Sequence, residues 1–331
     1  MTSAAGKSRE ILLSVRGLTV EFRVPRGILR AVDNLDLDVY NDEVLGLVGE
    51  SGCGKSVLAH TILRIVDPNG RIAGGKIMFQ GKDILSMSKE ELRRFRWKEI
   101  AIVFQGAFNS FNPVIRIFEH MLDTTYAHDE KANKEEIVKR SKELMRMVRL
   151  DPDAVLVRYP HELSGGMKQR AVAAMAMLLD PKLLILDEPF SALDVLTQKF
   201  FMKTLVDIRR ETRKSMIFIT HDLAQVAEIA DRVAVMYGGV IVEAAGVEDI
   251  FYKPRHPYTR ALLKAVPSIV GSIDELKPLP GPLPDPVNPP PGCEFHPRCP
   301  HRIDICSRVR PKLEQVDDVS LVACHRWREL N

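Results

Sequence analysis

Cysteine is nearly missing from the first 292 residues of this 331-residue chain, where Cys53 stands alone. Reduced thiols in a cytosolic setting are expected, so the cysteines are not read as a disulfide framework. Long apolar runs are lacking too: the run from Ala171 to Leu179 (AVAAMAMLL) stops at Asp180. That is far short of the roughly 20 residues a membrane-spanning helix needs. The opening MTSAAGKSREILLSV holds no uninterrupted apolar run of the length a signal peptide's h-region needs, so no signal peptide is expected. Net charge is small, with 47 basic residues against 44 acidic ones, and a formal value of +3 is too small to argue for a nucleic-acid surface. The densest basic stretch, RRFRWK from Arg93 to Lys98, follows SKEE and precedes Glu99, which reads as the solvated face of an amphipathic helix. What remains is a chain with 45% hydrophobic and 27% charged residues, long enough for one sizeable domain and a smaller one.

Chemistry first shows in VLGLVGESGCGKSVLAHTILRIV, Val44 to Val66. An apolar, β-rich run enters a glycine-rich turn and an amphipathic helical pattern leaves it, the context that a phosphate-binding P-loop requires. Gly49, Gly52 and Gly54 let the backbone curl so that successive N–H groups face phosphate oxygens, while the following helix adds the positive end of its dipole. Lys55 supplies charge for the β- and γ-phosphates, and Ser56 a hydroxyl for Mg²⁺. The expected ATP-binding set is Gly49, Ser51, Gly52, Cys53, Gly54, Lys55, Ser56 and Val57. Cys53 occupies a variable loop position and reads as a small filler rather than a nucleophile. A second strand must carry carboxylates, and KLLILDEPFSALD, Lys182 to Asp194, provides it. Asp187 can bind Mg²⁺ through water and Glu188 can act on the attacking water. Together the two stretches predict a nucleoside triphosphatase.

Kinases and GTPases share the P-loop, so a further motif must discriminate. LSGGMKQR, Leu163 to Arg170, resembles the signature motif of ATP-binding cassette (ABC) proteins and lies just upstream of the Asp-Glu strand, as in that family. Ser164, Gly165 and Gly166 open a helix and make a second anion site. In the family this loop, Met167 included, closes over ATP held by a partner subunit's P-loop in a head-to-tail dimer. The other family elements follow in order. Gln105, ending IVFQ, matches the Q-loop glutamine that senses Mg²⁺. Ser191 and Asp194 bound the SALD of a D-loop, and His221 in FITHD matches the switch histidine at the γ-phosphate. Phe22 falls where the family places an aromatic on adenine. Two departures are Met167 for a common Gln and Phe190 for a frequent Thr.

The resemblance implies an α/β fold: a P-loop ABC cassette over residues 10–265, with a RecA-like core, an N-terminal antiparallel β region and a helical subdomain at about 106–178. A Pro-rich linker and a cysteine-rich extension, 266–331, complete it. LLSVRGLTVEFRV and LRAVDNLDLDVY read as antiparallel strands, GGKIMFQGKDI as a strand pair, and RVAVMYGGVIVEAA as a hairpin turning at Gly238 and Gly239. QGAFNSFNPVIRIFEHM, Gln105 to Met121, resembles the post-Q-loop stretch of peptide-importer ATPases. There Phe108, Phe111, Val114, Ile117 and Phe118 would either line a groove for a permease's coupling helix or pack internally. IFYKPRHPYTRALLKAVPS, Ile250 to Ser268, is very like the segment ending the cassette in oligopeptide and dipeptide importers.

The remaining cysteines are Cys293, Cys299, Cys306 and Cys324, spaced C-x5-C-x6-C-x17-C. Four thiolates converging on one point would satisfy tetrahedral Zn²⁺ or a [4Fe–4S] cluster, and either could staple a tail too short for its own core. Spacing alone does not choose, with His296, His301 and His325 as alternative ligands. Resemblance to the FxPRCPxxxxxC tails of dipeptide importer ATPases implies [4Fe–4S]. The expected function is the ATPase subunit of a peptide importer, acting with Mg²⁺ at the cytoplasmic face of the membrane. Its partners would be a second ABC ATPase subunit (paralogue or copy), two permease subunits and an extracytoplasmic substrate-binding protein, with no nucleic acid. Import of oligosaccharides or nickel by the same machinery, a soluble ABC ATPase and a redox-sensing regulator are the alternatives.

Overall fold

A computed structural model of the chain describes residues 10–107, 110–191, 193–265 and 281–330. Phe108 and part of the Pro-rich stretch lie outside them. The strands, in chain order, are β1 (Ile11–Val24), β2 (Gly27–Tyr40), β3 (Val44–Val48), β4 (Gly70–Phe79), β5 (Lys82–Asp83) and β6 (Ile100–Val103). They continue with β7 (Leu183–Asp187), β8 (Ser215–Thr220), β9 (Arg232–Tyr237), β10 (Val240–Gly246), β11 (Glu314–Gln315) and β12 (Leu321–Val322). The chain divides into two compact units, Met1–Ser86 with Thr220–Asn331, and Met87–Ile219.

In the first unit β1 lies antiparallel between β2 and β4, with β5 beyond β4, as the alternating patterns of both opening segments predict. Leu13, Val15, Leu18 and Val20 bury one set of β1 side chains completely. The spacing of these buried positions changes between Val15 and Leu18, where the pairing register shifts; a bulge of this kind re-aims the strand without breaking the sheet. β3 is different in kind. All five of its residues are buried, and it pairs in parallel with β9, which matches the rule that parallel strands covered on both faces read as continuous apolar runs. β9 turns into β10 at Gly238 and Gly239, with Tyr237 opposite Val240, the hairpin expected from the sequence. β10 then pairs with β12, and β12 with β11, so the tail is built onto the same sheet.

A buried ion pair fixes the base of β3. Arg232 donates to Glu43 at 3.0 and 3.4 Å and to the Asp38 carbonyl at 2.7 Å, and its guanidinium stands 4.8 Å from the Tyr40 ring centre. Both side chains are only 4% exposed. Removing one partner leaves the other charge buried, so Arg232→Met is expected to destabilise the protein by about 3–5 kcal/mol. A lowered urea midpoint at unchanged slope would register it; an unchanged midpoint would contradict it.

In the second unit β7 lies parallel between β6 and β8. All of its residues, and all of β6 and β8, are buried. Between β6 and β7 run the helices Ile117–His128, Lys134–Met147, Pro152–Val155 and Gly165–Ala176, where a helical insertion is expected. Lys134–Met147 buries Ile137, Ser141, Leu144 and Met145, one face at helical spacing. The basic stretch follows its sequence reading: on the helix Lys89–Phe95, Leu92 and Phe95 are buried, while Arg93 and Arg94 pair with Glu90 on the exposed side.

Candidate functional site

In the first unit the phosphate loop joins β3 to the helix Lys55–Ile62. That helix has no side-chain cap and no acidic residue in its first turn, so no carboxylate there opposes an anion at the positive end of its dipole. Gly54 is obligatory for a physical reason: φ is 107°, and a β-carbon there would sit 2.2 Å from the Ala31 carbonyl oxygen. Lys55 is 5% exposed. Its ammonium donates to the carbonyls of Gly49 at 2.8 Å and Glu50 at 3.0 Å and lies 3.7 Å from Cys53 Sγ. Cys53 is buried, and burial pushes its thiol up against the opposing effect of Lys55, which fits a filler and not a nucleophile. Ser51 and Gly52 are exposed, Gly49 is buried, and Ser56 and Val57 are half-buried. Phe22 is half-buried on β1, opposite Leu29 and Gly70; its ring covers Gly70 so closely that a β-carbon there would lie 2.6 Å from Cε1. His221 is exposed just beyond β8, before Asp222, which caps the next helix.

In the second unit the two carboxylates stand at the C-terminal end of β7. Asp187 closes the strand, buried and in register with Ile219. Glu188 continues the ladder by donating its N–H to the Ile219 carbonyl at 3.0 Å, with φ at 45°. A non-glycine residue in this left-handed region is uncommon, and such strain gathers at functional sites. Gln105, distant in sequence, donates Nε2 to Glu188 Oε2 at 3.0 Å. The structure thus brings together two of the three residues assigned catalytic roles from the sequence.

The signature segment begins the helix Gly165–Ala176. Ser164 caps it, its hydroxyl accepting from the Met167 N–H at 3.3 Å, while Ser164 and Gly165 remain exposed. A β-carbon on Gly166 would meet Thr197 Cγ2 at 2.5 Å, so this position must stay bare. Asp194 caps the helix Val195–Thr212 by accepting from the N–H groups of Leu196 and Thr197 and from the Thr197 hydroxyl at 2.6 Å. The Thr197 hydroxyl holds its carboxyl below the usual range. Ser191 donates its N–H to the Glu188 carbonyl at 3.1 Å. Gln198 was not singled out in the sequence, yet its Nε2 donates to the carbonyls of Phe190 and Leu193 at 3.3 and 2.9 Å and so holds the turn. Nothing in an isolated glutamine on a helix signals that task. The Phe190 departure is also explained, since its ring is buried 5.5 Å from that of Phe201 and 5.7 Å from that of Phe218. Of the described groove candidates, Phe111 and Ile117 are buried, Phe118 is half-buried and Val114 is 75% exposed.

In the tail, Cys293, Cys299, Cys306 and Cys324 line one small pocket with His256, Phe295 and His325. None is in a disulfide. The Cys293 N–H donates to the Cys306 carbonyl at 2.8 Å. Burial pushes Cys293 up to about 12, and it raises Cys299 and Cys324 as well, with neighbouring cysteines adding to each shift. Thiols so placed resist ionising unless a cation compensates them. Among the described residues, no three His, Cys, Asp or Glu side chains stand in an arrangement that would hold a metal ion.

Residues 32–191 match the family model described as ABC transporter, and residues 242–306 match the one described as oligopeptide/dipeptide transporter, C-terminal region. The chain is 45% identical, over 96% of its length and 98% of the relative's, to the dipeptide transport ATP-binding protein DppD of Caldanaerobacter subterraneus. It belongs to the ABC transporter family, as an ATP-binding subunit of the oligopeptide/dipeptide group. To the oligopeptide transport ATP-binding protein OppD of Escherichia coli this ABC subunit is 41% identical over 97% of its own length and 95% of the relative's. Its fold is that of CbiO1 from Clostridium perfringens, with a TM-score of 0.63 at 26% identity over 74% of this chain and 92% of that one. The ATP-binding cassette MJ0796, in a dimeric post-hydrolysis state bound to ADP and Pi, gives a TM-score of 0.63 at 24% identity over 71% and 98%. The enzyme class of the ABC subunit is therefore an ABC ATPase. Among its described residues no helix is long and apolar enough to cross a membrane.

Proposed function

We propose that this ABC subunit hydrolyses ATP to drive uptake of di- or oligopeptides. Residues 10–265 act as the cassette, with a helical part at about 106–178, and 266–331 serve as linker and extension. The observation that carries this reading is the near end-to-end similarity to a dipeptide transport ATP-binding protein, 45% over 96% of the chain. Lys55 and the loop from Gly49 to Val57 bind the triphosphate, and Phe22 meets the base. Ser56, Gln105 and Asp187 offer the hard oxygen ligands that Mg²⁺ prefers, and the ion supplies charge neutralisation on the β- and γ-phosphates. Glu188 accepts a proton from the attacking water, and His221 contacts the γ-phosphate. The helix N-terminus at Ser164 to Met167, exposed at Ser164 and Gly165, faces the nucleotide of a second ATPase subunit, copy or paralogue, with Ser191 and Asp194 beside it. Two permeases and an extracytoplasmic binding protein complete a complex in which this subunit sits at the cytoplasmic face, and Phe111, Val114, Ile117 and Phe118 belong to the stretch that meets a permease.

The intact complex, reconstituted in vesicles, is expected to take up labelled dipeptide in an ATP-dependent manner. Uptake of nickel or an oligosaccharide in place of peptide would redirect the assignment.

In the tail, Cys293, Cys299, Cys306 and Cys324 hold a [4Fe–4S] cluster, with Zn²⁺ as the alternative occupant. Convergence on one pocket and the lack of disulfides support a ligated set, and ligation requires the four side chains to close up from the arrangement described above. Protein purified without oxygen is expected to contain iron and inorganic sulfide, with broad visible absorption that disappears in Cys306→Ser. Zinc without sulfide would select the alternative, and neither metal would reject both.

A further inference from the structure

The cysteine-bearing turn of the tail reaches the phosphate loop through one side chain. Arg298, next to Cys299, is 6% exposed in its side chain. Its guanidinium makes a two-pronged contact with Glu50, Nη1 to Oε2 at 2.7 Å and Nη2 to Oε1 at 3.1 Å. Glu50 lies inside the loop, between Gly49 and Ser51. The remaining groups of Glu50 are held as well: its N–H donates to the Tyr258 hydroxyl at 3.0 Å and its carbonyl accepts from Lys55 at 3.0 Å. Tail, cassette and phosphate-binding lysine therefore meet on a single residue.

The turn that carries Arg298 has little slack. The Cys293 carbonyl receives the His296 N–H at 3.0 Å and lies 2.9 Å from His296 Nδ1. The N–H groups of Arg298 and Cys299 return to the carbonyls of Phe295 and His296 at 3.0 and 3.3 Å. Phe295 is buried against the rings of Tyr237 and Tyr258, at 5.3 and 5.4 Å, and Arg298 stands 5.7 Å from the centre of the Tyr237 ring. These contacts link a displacement of Cys293 or Cys299 to the backbone that carries Arg298.

We propose that Arg298 is a positioning residue for the phosphate loop, and that through it the state of the cysteine pocket sets nucleotide affinity. The inference rests on the ATP-binding reading. Its sign follows from charge. A carboxylate in a loop that receives a triphosphate repels it, and Arg298 cancels that repulsion while fixing where the carboxylate lies. Moving or removing the guanidinium leaves Glu50 as an uncompensated anion and loosens the residue whose carbonyl orients Lys55. Because coupling between two sites is reciprocal, nucleotide binding also tightens the turn around Cys299.

The full-length chain is titrated with AMP-PNP and Mg²⁺. Arg298→Gln is expected to raise Kd roughly tenfold, within the usual span of site-to-site coupling. Glu50→Gln removes the anion itself, so the double variant is expected to bind like Glu50→Gln alone. That rescue would not occur if Arg298 only helped the tail to fold. Cys299→Ser is expected to raise Kd in the native background and to add nothing to Arg298→Gln. An Arg298→Gln variant binding within twofold of the native chain would overturn the proposal, as would failed rescue by Glu50→Gln or additivity with Cys299→Ser. Should Arg298→Gln not fold by circular dichroism, an unchanged Kd in Cys299→Ser overturns it equally. A native chain that does not bind AMP-PNP would instead overturn the ATP-binding reading.

Discussion

Glu188→Gln is expected to lower ATP turnover at least roughly a hundredfold, the usual range for losing a general base, while leaving ATP bound. The substitution is nearly isosteric. It keeps an oxygen that can accept from Gln105 Nε2, the contact now made at 3.0 Å, and it leaves the backbone bond from residue 188 to the Ile219 carbonyl in place. What it removes is the capacity to take a proton from water. Trapped nucleotide should stabilise the paired form, so gel filtration with ATP should show a dimer that the native chain holds only transiently. Turnover within tenfold of native would assign the proton to another group.

Lys55→Ala is expected to weaken ATP binding about a hundredfold, because contacts to a charged donor are each worth roughly 1.5–3 kcal/mol and about 1.4 kcal/mol is a factor of ten. Two effects combine. The phosphates lose a cation, and the carbonyls of Gly49 and Glu50 lose the donor that gathers them. Titration calorimetry separates this variant from Glu188→Gln, which should bind well and turn over poorly. Native affinity in Lys55→Ala would remove the lysine from the phosphate site.

Much of the fold was legible because several segments have only one physical solution. A run such as VLGLV with no polar interruption must be covered on both faces, and β3 is. The spacing of Ile137, Leu144 and Met145 makes a helical stripe, and those residues are buried together. Adjacent glycines between two apolar runs can close a hairpin, as Gly238 and Gly239 do. The site was legible wherever function needs backbone geometry, since glycines and caps leave marks at fixed spacing. Contacts between side chains far apart in sequence left no such mark. Arg298 and Glu50 are 248 positions apart, and an arginine flanked by proline and cysteine looks like ordinary loop. The same holds for Gln198, and for Asp194, whose residue type predicts a cap as well as it predicts a D-loop. The groove candidates show a further limit: an apolar stripe does not declare its direction, and Ile117 and Val114, three positions apart, end on opposite sides of the burial scale.

The pairing of β12 with β10, through Glu243 opposite Val322 and the Ala323 N–H on the Val242 carbonyl at 2.8 Å, bears on how the protein can be trimmed. A strand stripped of its neighbour offers a row of idle donors and acceptors to any passing chain. With the tail in place, the outermost position falls to the two-residue β11, too short and too polar to template anything. Truncation at the proline stretch to isolate a minimal ATPase would uncover β10 and invite aggregation, so the tail belongs in any preparation meant to stay monodisperse.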